Sequence, residues 1–136
     1  MTLDEAIAEL RRLNEPVPKP PRLPTPAEVE ALERLLGRDV HPDLRRYLLE
    51  ASDVTLGTLE PVTATPESGR TYLPRVIERA RVYGVPEDLL PICEDNADFY
   101  TMTEDGEIVY WSHNGSPSER WPSLAAWIEE VWIGET

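Results

Sequence analysis

Leu90-Pro91-Ile92-Cys93-Glu94-Asp95-Asn96-Ala97-Asp98-Phe99-Tyr100-Thr101-Met102, followed by Ile108-Val109-Tyr110-Trp111-Ser112-His113, reads as consecutive short strands. Between Phe99–Thr103 and Ile108–Trp111 stands Glu104-Asp105-Gly106-Glu107, whose Asp-Gly pair is a strong hairpin signal. Beyond them the chain turns through Asn114-Gly115-Ser116-Pro117. It then ends in a helix that places Leu124, Trp127, Ile128 and Val131 on one face. Trp127 fits that buried stripe best, while Trp121 and Trp132 suit either the core or a dimer surface.

Upstream the period is helical. Thr2 and Glu5 have capping-box spacing, and Leu3, Ile7, Leu10 and Leu13 recur at helical intervals, so a short amphipathic helix is predicted to about Asn14. Pro16, Pro18, Pro20, Pro21, Pro24 and Pro26 follow, a run that lacks N–H donors and fixes φ. It is expected to be an extended strap, although the Pro18–Pro21 spacing could dock an aromatic-lined groove. Thr25-Pro26-Ala27-Glu28 starts a second helix, with Val29, Leu32 and Leu36 buried and Gly37 as the stop. A third helix carries Leu44, Tyr47, Leu48 and Ala51 on one side. Val54 to Val62 reads as a weak strand pair around Gly57. A helix from about Thr71 to Tyr83 turns Leu73, Val76, Ile77 and Ala80 inward and leaves Arg75, Arg79 and Arg81 for solvent. Helices first, then strands joined by short turns, then one helix predict an α+β fold. Its antiparallel sheet, of about four to six strands, is covered by helices.

The 136 residues suit a single folded unit, and a hydrophobic fraction of 40% supports a packed core rather than disorder. The charge is lopsided: 26 Asp+Glu against 13 Lys+Arg give −13. Such a chain repels phosphate backbones and anionic membranes, which argues against nucleic acid and membrane surfaces as ligands. It favours a basic protein partner, since charge complementarity speeds encounter and penalises wrong partners. Cys93 stands alone, so no internal disulfide can form. Met1-Thr2-Leu3-Asp4-Glu5 lacks the basic-then-apolar pattern of a signal peptide, and no apolar run reaches membrane-spanning length. A cytoplasmic protein is expected, monomeric or weakly dimeric.

Three segments together resemble the SUKH superfamily, the domain of fungal cell-wall-synthesis regulators and many bacterial relatives. Val40-His41-Pro42-Asp43-Leu44-Arg45-Arg46-Tyr47-Leu48-Leu49 is similar to the family's proline-started helix. Leu90 to Met102 is similar to its isoleucine-proline, acidic, aromatic-strand block. Glu107-Ile108-Val109-Tyr110-Trp111-Ser112-His113 is similar to its strand ending near a histidine, and the Trp121–Trp132 helix matches in position. The chain departs from the pattern in two places. Ala51-Ser52-Asp53 stands where the family often has Asn-Gly, and Asn96-Ala97-Asp98 where it usually has glycines. The resemblance covers about residue 26 to the end. It divides the chain into an N-terminal helix with its strap (1–25) and a SUKH-like domain (26–136). It implies a binding protein without catalysis: an immunity protein that neutralises a bacterial toxin, or a scaffold or regulatory adaptor for cell-wall synthesis or envelope proteins.

Read without the family, the strongest functional feature is charge segregation. Between Arg81 and Arg120 there is no Lys or Arg, while Glu87, Asp88, Glu94, Asp95, Asp98, Glu104, Asp105, Glu107 and Glu119 fall in that interval. The residues expected to meet a basic partner, a toxin such as a nuclease, are Asp95, Asp98, Tyr100, Glu104, Asp105, Glu107, Trp111 and His113. Asp95-Asn96-Ala97-Asp98 lacks the register of a calcium loop and is expected to be a turn. His41 and His113 lack zinc spacing, so neither a metal nor another cofactor is expected. Strands could bring Cys93 to His113 as a nucleophile pair, but a lone cysteine in an apolar strand is ordinarily a small core residue. Carboxylate pairs for glycoside hydrolysis stay open in so acidic a chain. No nucleophile elbow, P-loop or dinucleotide fingerprint is present, and no enzyme is expected.

Overall fold

The first three helices begin where the sequence supplies a cap. The computed structural model describes residues 1–115 and 119–135. In α1 (Leu3–Leu13) the Glu5 N–H donates to Thr2 Oγ1 at 3.1 Å, and the Thr2 N–H donates back to Glu5 Oε1 at 2.9 Å. This reciprocal box satisfies two backbone donors that the first turn would leave orphaned. α2 (Pro26–Leu36) repeats it with Thr25 and Glu28 and stops at Gly37, which is left-handed at φ 74°. α3 (Pro42–Glu50) is capped by His41, whose Nδ1 accepts the Asp43 N–H at 3.1 Å. α4 (Leu73–Tyr83) ends at left-handed Gly84.

β1 (Leu90–Asp95), β2 (Asp98–Met102), β3 (Ile108–Trp111) and β4 (Arg120–Trp121) form one antiparallel meander in chain order. The fold is therefore α+β, with four strands at the low end of the expected range. The sheet is buried on both faces. On one, α4 packs through Tyr83 on Phe99 (ring centroids 6.1 Å apart) and through Arg79 on Glu94. On the other lies α5 (Leu124–Trp127), which continues directly into a π-helical segment, Ile128–Ile133. Tyr100 meets Trp127 there at 5.2 Å, and α1 and α3 pack behind, with Tyr47 edge-on to Trp132 at 6.0 Å. Trp121, Trp127 and Trp132 are all buried, so the tryptophans serve the core and present no dimer surface.

α1 belongs to this same core: Ala6 and Leu10 are fully buried and Ile7 nearly so. The strap that follows is pinned at both ends. The Glu15 N–H donates to the Thr55 carbonyl (2.8 Å), and Arg22 reaches Glu28 (2.7 and 2.8 Å) and Glu67. Pro24 is buried, whereas Pro18, Pro20 and Pro21 are exposed.

Two sequence expectations are corrected. Val54–Val62 forms no strand pair among the described residues; it lies along the open edge of β1, where the Val62 N–H donates to the Ile92 carbonyl at 2.9 Å. Pro61 has no N–H to offer and β1 is bulged between Pro91 and Cys93, so a ladder cannot propagate there. Arg79 and Arg81 do not face solvent freely. Arg79 binds Glu94 and the Arg70 carbonyl, each at 2.8 Å, and Arg81 donates to the carbonyls of Val85, Pro86 and Leu89. Arg79 thus ties β1 and the segment before α4 to that helix, and Arg81 ties the loop that follows it. Of the turn expected at Asn114–Pro117, Ser116 and Pro117 lie outside the described residues.

Candidate functional site

β2 sorts the candidate residues into two groups. Its N-terminal end carries a two-residue turn, Asn96-Ala97, with both residues at positive φ (51° and 71°), so that Asp95 and Asp98 face each other across the hairpin. β3 ends beside this turn, which brings Trp111 and His113 to the same end. The C-terminal end of β2 carries the second turn. There Gly106, at φ 90°, closes the loop with a bond to the Thr103 carbonyl at 3.0 Å, and Glu104 and Asp105 are exposed. Glu107 lies at that end too, 3.4 Å from Arg120. Four residue steps of about 3.3 Å put the two groups roughly 13 Å apart, so the eight candidates form no single patch.

Tyr100 is placed inside. It is 7% exposed and packs against Tyr110, Trp121 and Trp127 at 5.0, 5.8 and 5.2 Å. Strand alternation turns it to the C-terminal helix, and burial pushes its hydroxyl above the usual tyrosine range. Tyr100 thereby props Tyr110, its neighbour across the strands.

Asp98 organises the first end. Its Oδ2 accepts the Tyr110 hydroxyl at 3.0 Å, and its Oδ1 accepts the His113 backbone N–H (3.3 Å) and pairs with His113 Nδ1 (2.8 Å). Burial opposes its charge, but the bonds from Tyr110 and His113 outweigh that, and the carboxyl sits below its ordinary value. The Tyr110 hydroxyl, partly buried and held by that carboxylate, is pushed up to about 12. Asp95 and Glu119 bear on the same hydroxyl. The end of the sheet is therefore an acidic, aromatic cluster with one histidine clamped on it.

Cys93 is fully buried and burial pushes its thiol up to about 12, so it offers His113 no thiolate. Among the described residues no three of His, Cys, Asp and Glu gather to hold a metal ion. No helix among them is long and apolar enough to cross a membrane. His41 is a helix cap with its other edge against Gly106.

Two features of this end escaped the sequence reading. Val82 and Tyr83, at the C-terminus of α4, are 85% and 44% exposed, and the Tyr83 ring lies 5.8 Å from that of His113. Val82 stands opposite the Leu73–Val76–Ala80 stripe, an apolar residue on a polar face, and that was the available signal. Beside it runs a polar groove of about 380 Å3 lined by Thr58, Glu60, Arg70, Arg79, Tyr83 and Asn96 among others. The Glu94 carboxylate that Arg79 and Arg70 share also lines it.

Two comparisons place the chain among known proteins. A family model, SUKH_5, described as SMI1-KNR4 cell-wall, matches residues 3–133 and so takes in α1 and the strap. A crystal structure of a protein from Pseudomonas syringae pv. tomato superposes with a TM-score of 0.90 at 40% sequence identity. It covers 96% of this chain and 98% of that one. Among curated proteins, none matches.

Proposed function

Because the chain belongs to the SMI1-KNR4 cell-wall family SUKH_5, within the SUKH superfamily, we propose that it is a non-catalytic protein-binding domain. In this reading it acts in the cytoplasm as an immunity protein that neutralises a bacterial toxin by covering it. The partner is basic, and the mechanism is steric masking guided by charge. Asp95, Asp98, Trp111 and His113 make the contact surface, with Tyr100 supporting it from within. Glu104, Asp105 and Glu107 form a separate acidic edge that steers approach.

The observation that carries this is how the charges are used. Arg11, Arg12, Arg22, Arg45, Arg46, Arg70, Arg79 and Arg120 are all consumed in internal ion pairs, while Asp95 and Glu119 have no cationic partner among the described residues. With a net charge of −13, the outward field is acidic, and the Tyr110 end concentrates it beside aromatic side chains.

Affinity capture from the source organism at low and high salt tests it. A single basic protein released by salt supports immunity. Reversing Asp95 and Glu119 to lysine should weaken its capture about tenfold at low salt, with the difference shrinking as salt rises. Asp98 is a poor choice for reversal, since its loss would free His113 and Tyr110 together. Capture undiminished by the double reversal sinks the surface.

A second reading, a scaffold or adaptor for envelope proteins, is favoured by one observation: Pro18, Pro20 and Pro21 are exposed on a strap whose ends are fixed. Substituting Pro18 and Pro21 by alanine abolishes partner capture in that case and leaves it intact in the first.

A further inference from the structure

We propose that the C-terminal turn of α4, Val82 and Tyr83 with Trp111 and His113 beside them, is the docking surface for an arginine-bearing segment of the basic partner. This rests on the protein-binding reading above and goes beyond it in naming the helix, the anchor and the side chain recognised.

Exposed apolar surface singles out this place. Among the described residues the large hydrophobics left open to solvent are Met1, Leu35, Val82 and Tyr83, and only the last two adjoin. Of the two, Tyr83 has a rigid backing. Tyr83 lies 6.1 Å from Phe99, which is fully buried, and Phe99 lies 6.4 Å from Trp111. His113, 5.8 Å from Tyr83 on the other side, is held by Asp98. An aromatic row thus runs from solvent into the core, and its exposed ring loses little freedom on binding.

Charge selects the occupant. The C-terminus of α4 directs the negative end of its dipole here. Glu78, one helical turn before Val82, is exposed and has no ion-pair partner among the described residues, and Glu87, just past Gly84, is exposed and bears on Arg81. Of the nearby cations, Arg79 lies on Glu94, and Arg81, which Arg38 also neighbours, is turned onto three loop carbonyls with Glu87 and Asp88 bearing on it. An aromatic face in a negative field suits a guanidinium, which stacks flat on a ring and is more weakly hydrated than an ammonium. A second copy of this chain fits poorly, because each copy brings a net charge of −13.

The probe is an alternating arginine-glycine dodecapeptide, titrated at low salt into the full-length protein with amide and indole chemical shifts recorded. Shifts should gather at Val82, Tyr83, His113 and the Trp111 indole. Tyr83→Ala should weaken binding roughly fivefold, the Tyr83→Phe variant should retain it, and a lysine-glycine peptide should bind more weakly. Tyr83 is on the surface, so circular dichroism should show each variant folded. Equal affinity for Tyr83→Ala, or shifts gathered at Glu104–Glu107, overturns this surface while leaving a basic partner in place. Equal affinity for the lysine peptide overturns the choice of arginine. No binding at low salt overturns both this inference and the charge-guided reading beneath it. A dimer that Val82→Glu dissociates would hand the surface to a second copy and overturn the proposal.

Discussion

Ala97 sits at φ 71° in a two-residue hairpin turn that favours glycine at this position, and Asn96 precedes it at φ 51°. Asparagine tolerates that region, but alanine's Cβ costs about 1–2 kcal/mol there. Ala97→Gly should therefore stabilise the domain by roughly 0.5–1 kcal/mol, after the greater freedom glycine returns to the unfolded chain. Urea denaturation checks this, and an unchanged midpoint would show the turn to be unstrained. At the other turn the reverse holds. A Cβ on Gly106 would lie 2.6 Å from His41 Nε2, and that ring is fixed because its Nδ1 caps α3. Gly106→Ala should cost about 2 kcal/mol, combining backbone strain with loss of the cap. In a His41→Ser background, where a hydroxyl caps without a ring, the same change should cost about half as much. Additive effects would refute the contact. The sequence announced a turn at both places, because Asp-Gly and the strand flanks are local signals. It could not announce that Gly106 answers to a histidine some sixty residues earlier, since that packing exists only once the hairpin reaches α3.

At the scale of elements, caps and periodicity were legible. The boxes at Thr2 and Thr25, the stop at Gly37 and the inward stripes of α2, α3 and α4 all stand where spacing put them. What spacing could not show was the partnering between elements. Arg79 and Arg81 look like solvent cations on a helical wheel, yet β1 brings Arg79 the Glu94 carboxylate and the following loop brings Arg81 three carbonyls. The eight candidate residues looked contiguous because they follow one another in the chain. A meander sends successive turns to opposite ends, and alternation sends Tyr100 inward. α1 shows the same limit: beyond a proline strap it reads as an appendage, but Ala6, Ile7 and Leu10 complete the core. Leu10→Ala should cost about 3 kcal/mol, as a fully buried leucine leaves a cavity. Removing residues 1–24 should expose that face of α3 and the C-terminal helix and lose cooperative unfolding altogether. A truncated chain with a sharp thermal transition would show α1 to be dispensable.

At the scale of the whole molecule, the shifted groups fix where stability is lost with pH. Carboxylates such as Asp98 and Glu28 have native values below their ordinary ones, Glu28 at about 2 through Arg22. Their contribution is complete above the unfolded value near pH 4 and is lost only as pH falls through the native values. The alkaline side is governed by groups raised in the folded state, which stabilise fully below their unfolded value and lose that contribution as pH rises toward the native one. Cys93 acts first, since an unfolded thiol ionises near about pH 8.5 while burial holds the native one to about 12. Tyr100 and Tyr110 join above about pH 10, Tyr110 being raised to about 12. Unfolding free energy should thus be flat from about pH 5 to 8 and then fall by about 1.4 kcal/mol per pH unit, the worth of one proton. Cys93→Ala should be less stable at neutral pH, having lost a buried side chain, yet its stability should stay level until about pH 10, where the tyrosines begin to titrate. Urea midpoints measured across that range decide it. If the variant declines from about pH 8.5 as the parent does, the alkaline loss does not come from the buried thiol.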